Sequence, residues 1–253
     1  MYAIERRQWL VERARERGRL DVAGVAEELD LAAETIRRDL KVLQDQGMLR
    51  RVYGGAVAIE RLRFESALTA RATRHPEEKR RIASAAIDYV GTAEAIFLDE
   101  GYLPQLIAER LYPTHPITIV TGSLPIATSL AERPNVEVIV IGGRLRPTTL
   151  GCVDQWAIAT LLGLVLDLAI IGANGMSVEH GATVPDGQIA TVKATAMRSA
   201  RRRILVADSS KYGSDSFATF ARLDEFERLV TDTNLTDDAT MAIESSGLAV
   251  SRV

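Results

Sequence analysis

The chain has 253 residues, is 47% hydrophobic and 26% charged, and carries a formal net charge of −3. These values describe a globular protein with room for one large domain or two modest ones, and they exclude general disorder. A single cysteine, Cys152, excludes an intramolecular disulfide and a Cys-cluster metal site, and His75, His115 and His180 follow no metal-ligand spacing, so neither metal nor cofactor is expected.

The opening segment, residues 1–18, is charged throughout and lacks an apolar signal core. No apolar run reaches the ~20 residues of a membrane helix, so a soluble, cytoplasmic chain without membrane contact is expected. Up to about residue 48 the apolar spacing is helical: Ile4, Leu10, Val11 and Ala14 make one stripe, Val22, Val25, Ala26 and Leu29 a second, and Ile36, Leu40 and Leu43 a third. Residues 49–59 predict two short strands around Tyr53, Gly54 and Gly55, a hairpin. The charged stretch 60–78 reads as a connector between a domain over 1–59 and a domain over 79–253. Beyond it, apolar runs at 95–99, 117–121, 136–141, 167–172, 204–208 and 228–232 alternate with helical stretches, which predicts a mainly parallel sheet covered on both faces.

Charge divides near the same place. Residues 1–81 hold 18 Lys and Arg against 14 Asp and Glu, whereas residues 82–253 hold 13 against 20. The small net charge thus hides a basic module on an acidic body.

Three helices followed by a hairpin is the plan of a winged helix-turn-helix, whose second motif helix enters a DNA major groove. Here that helix spans about Ala33–Gln46, with Gly47 as its C-cap. Its apolar face is Ile36, Leu40 and Leu43, and Arg37, Arg38 and Lys41 lie largely away from it. Arg37 and Lys41 are like charges at i, i+4, which disfavours an isolated helix by ~0.2–0.5 kcal/mol unless phosphates supply the counter-charge. Thr35, near the helix start, is placed for a base or phosphate contact. A solvated basic face is the alternative reading. Asp39 is expected to hold a structural salt bridge to Arg50 or Arg51.

Two motifs here, Thr35-Ile-Arg-Arg-Asp-Leu40 and Arg51-Val-Tyr-Gly-Gly-Ala56, resemble the DeoR/GlpR-type bacterial transcription regulators. The resemblance implies a DNA-binding repressor that contacts double-stranded DNA through Thr35, Arg37, Arg38, Lys41, Arg51, Tyr53 and Gly54. Ala32 stands where the family usually has a helix-capping Ser, and Tyr53 where it usually has His.

The resemblance continues through most of the remaining chain. It implies a sensor domain similar to the sugar-phosphate isomerase and CoA-transferase fold, which binds a small metabolite, commonly a phosphorylated sugar or polyol, and forms a homo-oligomer. The matching stretches offer Asp99, Glu100, Gly101 and Tyr102, then Thr121, Gly122 and Ser123, then Gly142 and Gly143, Gly172 and Asn174, and finally Lys193 and Lys211 as effector-binding residues. In an open α/β sheet such residues fall at the carboxyl ends of strands, where ligands bind. Glycines let the backbone approach an anion, and lysine is a compact charge suited to phosphate. For Gly142 and Gly143 a plain strand end is the alternative, and for Asp208 a loop-holding role. Arg201, Arg202 and Arg203 read as a solvated helix end, and Trp9 and Trp156 as packing residues.

Several departures bear on the ligand. The family's usual Asp-Ser-Gly-Thr-Thr loop is Asp99-Glu-Gly-Tyr-Leu103 here, its Asn is Gly122, and its acidic pair before Lys193 is Gln188-Ile189. A carboxylate in an anion site repels phosphate, so an effector that is less phosphorylated, larger or differently oriented is expected. An isomerase- or deaminase-like enzyme using Asp99, Glu100 or Asp208 is the competing reading. No His accompanies a strand end to support it, so no catalytic residue is assigned. A third possibility is an interaction module without a ligand.

Overall fold

A computed structural model describes residues 2–17, 19–45, 48–52, 54–58 and 71–253. The chain forms two compact units, Met1–Phe64 and Glu65–Val253.

The first unit contains helix α1 (Ala3–Arg17), strand β1 (Arg19–Asp21), helices α2 (Val22–Glu28) and α3 (Ala33–Asp45), and strands β2 (Leu49–Val52) and β3 (Gly55–Ala58). The helical stripes meet in one core: Leu10, Val11, Ala14, Val22, Val25, Ile36, Leu40 and Leu43 are all buried. Ile4 departs from the expectation, being 78% exposed. Helical spacing puts it on the side of Val11, but at the first turn of α1 it lies outside the apolar cluster formed by the described residues. The wing has three antiparallel strands in the order β1-β3-β2, one more than the predicted hairpin. The extra strand, β1, pairs Asp21 with Gly55. A Cβ on Gly55 would lie 1.7 Å from the Leu20 carbonyl oxygen, so only glycine lets β3 close against β1. Asp21 then caps α2, its carboxylate accepting from the Gly24 N–H at 2.8 Å. At the start of α3 the Ala32 carbonyl accepts from Thr35 N–H at 2.9 Å, a main-chain closure where the capping Ser is missing.

The second unit runs α4 (Pro76–Ile87), β4 (Ala95–Leu98), α5 (Tyr102–Arg110), β5 (Ile117–Thr121), α6 (Leu124–Leu130), β6 (Val136–Val140), β7 (Arg144–Leu145), β8 (Cys152–Val153), α7 (Gln155–Leu162), β9 (Leu166–Gly172), β10 (Gly175–Ser177), β11 (Gly181–Val184), α8 (Gly187–Ser199), β12 (Ala200–Val206), β13 (Ala218–Ala221), β14 (Arg228–Thr231), α9 (Asp237–Ser245) and β15 (Ala249–Arg252). Seven strands form a sheet in the order β15-β14-β12-β9-β4-β5-β6, every pair parallel. All six predicted runs are in it, and β15 is an addition. Separate apolar clusters cover the two faces, one including Phe97, Ile171 and Leu205, the other Ile96, Ile170 and Ile204. These pairs are sequence neighbours on one strand, so the period-2 alternation of a strand sends them to opposite sides. The small antiparallel sheet β10-β11-β13 was not legible as strands.

Two other expectations are corrected. Arg201, Arg202 and Arg203 lie in β12, where Arg201 pairs with Asp167 and Arg202 with Glu227. Trp156 is 69% exposed, so it does not pack in the core. No helix among the described residues is long and apolar enough to cross a membrane.

The strand order positions the site. From β4 the chain lays β5 and β6 to one side, then returns and lays β9, β12, β14 and β15 to the other. The β4–β9 boundary is therefore the switch point at which α/β sheets open a ligand crevice beyond their carboxyl ends.

Candidate DNA-contacting helix and effector site

On α3 the buried positions are Ile36, Asp39, Leu40 and Leu43, while Arg37, Arg38 and Lys41 are exposed. At 100° per residue these three cations fall within one arc opposite the apolar stripe. Arg37 pairs with Glu34 one turn away at 3.1 Å, an exposed pair of small energetic value that a phosphate can replace. Thr35 is half-buried and Arg51 exposed. Arg51 N–H donates to Gln44 Oε1 at 3.2 Å, tying the wing's first long strand to α3. Gly54 takes a φ of +77° in the wing turn, a left-handed conformation suited to glycine. Tyr53 and Gly47 lie outside the described residues.

Asp39 is a structural residue, but its partners differ from those expected. It accepts from Arg6 Nε at 2.5 Å and from Arg7 Nε at 2.8 Å, both on α1. Asp39 shares the helix side of Leu40 and Leu43, which faces α1, so it is 2% exposed and meets cations there.

In the second unit, the carboxyl ends of β4 and β9 are joined through side chains. Asp99, directly after β4, pairs with Lys193 of α8. Its Oδ2 also accepts from Gly172 N–H at 2.9 Å, and Lys193 Nζ donates to the Gly172 carbonyl at 3.1 Å. Both charged side chains are buried, 2% and 5% exposed. Lys193 Nζ also lies 5.6 Å from the Phe220 ring centroid. Asp99, Gly172 and Lys193 thus come together at the switch point. Glu100 lies beside them and points to the loop before β8: Arg146 Nη1 donates to Oε1 at 3.0 Å and Thr149 Oγ1 donates to Oε2 at 2.6 Å. Burial pushes the Glu100 carboxyl above its usual value, while Lys193 and Arg146 pull the other way.

A second polar group lies at the end of β12. Asp208 pairs with Lys79 of α4 at 3.8 Å and accepts from Ser210. Burial alone would raise Asp208, but Lys211, the Ser210 hydroxyl and Lys79 hold it below the ordinary value. Lys79 Nζ donates to the Arg71 and Arg74 carbonyls at 2.8 and 2.6 Å and stands 5.9 Å from the Tyr102 ring centroid. Burial lowers its pKa to about 8, against the pull of Asp208. Lys211 and Tyr102 therefore border this second group, and Gly101 precedes α5 with a φ of +118°.

The other residues are placed differently. Thr121 and Ser123 are buried with local partners: Thr121 Oγ1 accepts from Ser123 N–H at 3.0 Å, and Ser123 Oγ caps α6. Gly122 has its carbonyl on Cys152 N–H at 2.8 Å. Gly143 passes so close to β8 that a Cβ would sit 2.4 Å from the Val153 carbonyl oxygen, while Gly142 has open space. Asn174 is half-buried, its N–H donating to the Thr183 carbonyl at 3.0 Å.

The DeoR-like helix-turn-helix domain matches residues 6–62, and the DeoR C terminal sensor domain matches residues 74–233. The chain belongs to the DeoR family. It is 33% identical over 250 residues to the HTH-type transcriptional regulator GlpR of Haloferax volcanii, covering 99% of this chain and 98% of the relative. The uncharacterized HTH-type transcriptional regulator YgbI of Escherichia coli is 31% identical over the same shares. A solved ribose 5-phosphate isomerase A from Methanocaldococcus jannaschii aligns over 54% of each chain at 15% identity with a TM-score of 0.40. As a DeoR-family protein the chain is a DNA-binding transcription regulator with a C-terminal sensor domain.

Three residues of this DeoR-family sensor that no sequence expectation named border these polar groups: Lys79, Arg146 and Thr149. Arg146 and Thr149 follow Gly142 and Gly143 closely, and a polar Arg-Pro-Thr-Thr run after a strand end was the available signal. Lys79 gave none, since a lysine among charged neighbours reads as solvated.

Proposed function

We propose that this DeoR-family protein is a repressor whose grip on DNA is released by a small carbohydrate-type metabolite. The ligand binds beyond the carboxyl ends of β4, β9 and β12. The observation that carries the reading is the buried Asp99–Lys193–Gly172 junction at the switch point. It fixes an acceptor and a cation against a glycine backbone at the mouth of the crevice, where a ligand with hydroxyls or an anionic group can be held. Arg37, Arg38, Lys41 and Arg51 supply phosphate and base contacts, with Thr35 and Gly54 beside them and Tyr53 as a further phosphate contact. Two modules act together on paired half-sites, which makes a homo-oligomer the working form. The protein works in the cytoplasm, where its DNA is, and is not an enzyme: Asp99, the best-placed base, is held by Lys193 and Gly172.

The test is DNA binding by the full chain, with its own upstream region as probe, at several salt concentrations. Affinity is expected to fall steeply with salt. Arg37→Ala, Arg38→Ala and Lys41→Ala are each expected to reduce the log–log slope by about 0.9 for every phosphate left without its cation. A panel of sugars, polyols and their phosphates is expected to contain a ligand that releases the DNA from the wild type and fails with Lys193→Met. Absence of DNA retention at low salt would overturn the regulator reading, and indifference to the whole panel would overturn the effector reading.

A further inference from the structure

The two acidic residues that follow β4 each take a cation: Asp99 takes Lys193 and Glu100 takes Arg146. Glu100 is held by both oxygens, and the network closes on itself, because Arg146 Nη1 also donates to Thr149 Oγ1 at 2.9 Å. The Thr149 hydroxyl accepts from the guanidinium and donates to the carboxylate, so each group has a consistent direction. The Arg146 and Glu100 side chains are only 12% and 11% exposed. The backbone is shaped around the carboxylate as well: a Cβ on Gly151 would sit 1.5 Å from Glu100 Oε2.

A guanidinium beside a hydroxyl is a donor set for a phosphate or carboxylate. Here the chain supplies that carboxylate itself. We propose that Glu100 is a specificity-determining residue: a built-in anion that occupies the place before Arg146 and Thr149, so that the effector's end at this corner bears hydroxyls and no phosphate. This rests on the β4–β9 crevice being the effector site and narrows the ligand class for it. A phosphate arriving at this corner finds the guanidinium and the hydroxyl already paired with Glu100 and must displace that carboxylate in a buried setting, where the two anions repel with weak screening. A neutral polyol meets charges that already sum to zero over Asp99, Glu100, Lys193 and Arg146, with acceptors and donors both on offer.

The corner is tested with inorganic phosphate as the probe, on the full chain, by thermal shift and calorimetry. Glu100→Ser removes the internal anion and is expected to bind phosphate at least roughly tenfold more tightly than the wild type, the scale of one charge-assisted hydrogen bond. The gain is expected to vanish in Glu100→Ser/Arg146→Met. Should the serine variant not fold, Glu100→Gln keeps the shape, removes the charge and is expected to shift phosphate affinity in the same direction. No gain in a folded variant, or wild-type affinity equal to the variant's, overturns the proposal. The effector-site reading fails on a different result, the absence of carbohydrate-dependent DNA release from the wild type, so the two failures are told apart.

Discussion

Replacing Asp39 by alanine tests how the recognition helix is held. The carboxylate is 3% exposed and joins α3 to α1 through Arg6, 12% exposed, and Arg7, 33% exposed. Breaking a buried ion pair by removing one partner costs ~3–5 kcal/mol. Arg7 can turn to water once released, which places Asp39→Ala at the lower end, about 3 kcal/mol. At 1.36 kcal/mol per decade this is a loss of about two decades in folding equilibrium. The assay is native-state amide exchange on the full chain. Protection of α3 amides is expected to fall about 100-fold, with α8 amides in the other unit unchanged. Arg37→Ala, on the exposed arc, is expected to leave α3 protection within ±0.5 kcal/mol of wild type. Unchanged α3 protection in Asp39→Ala, together with lost DNA affinity, would refute the structural role and make Asp39 a DNA contact.

Gly55→Ala is expected to open the β1–β3 pairing, since its Cβ would lie 1.7 Å from a backbone carbonyl that cannot turn aside; exchange at β1 and loss of DNA binding check this. Gly151→Ala should destabilise the sensor unit by ~1–3 kcal/mol through overpacking against Glu100, and Glu100→Ser should relieve most of that cost, a coupling that a double-mutant cycle measures. Lys79 titrates near 8 in the folded chain against an ordinary 10.5. Between those values the unfolded chain holds the extra proton, so this group makes stability rise with pH from about 8 to about 10.5, by up to ~1.4 kcal/mol per pH unit. Denaturant melts of wild type and Lys79→Met across this range are expected to show a steeper rise in the wild type, and parallel curves would refute it.

Legibility divided along the range of each interaction. The three helical stripes and six of the seven parallel strands follow from spacing within a few residues, because an element buries one face or both according to its own period. β1 escaped notice because three residues carry no periodicity; its strand character comes from pairing with β3, across a contact that Gly55 permits. Asp99 and Lys193 were identifiable separately as polar residues at motif positions, but their union across 94 residues depends on the strand order.

The amino-acid sequence by itself determined the three N-terminal helices, six of the seven parallel strands and the separation into a basic head and an acidic body. It also determined the cationic arc of α3, since Arg37, Arg38 and Lys41 share a helix whose opposite face is apolar. Only the tertiary structure decided how the charges pair. Asp39 found Arg6 and Arg7 of α1 in place of the wing arginines, and Glu100, which as a bare carboxylate argued against any anion nearby, found Arg146 and Thr149. The physical reason is that periodicity is a property of neighbours in the chain, whereas a buried charge is balanced by whichever opposite charge the fold brings within about 3 Å.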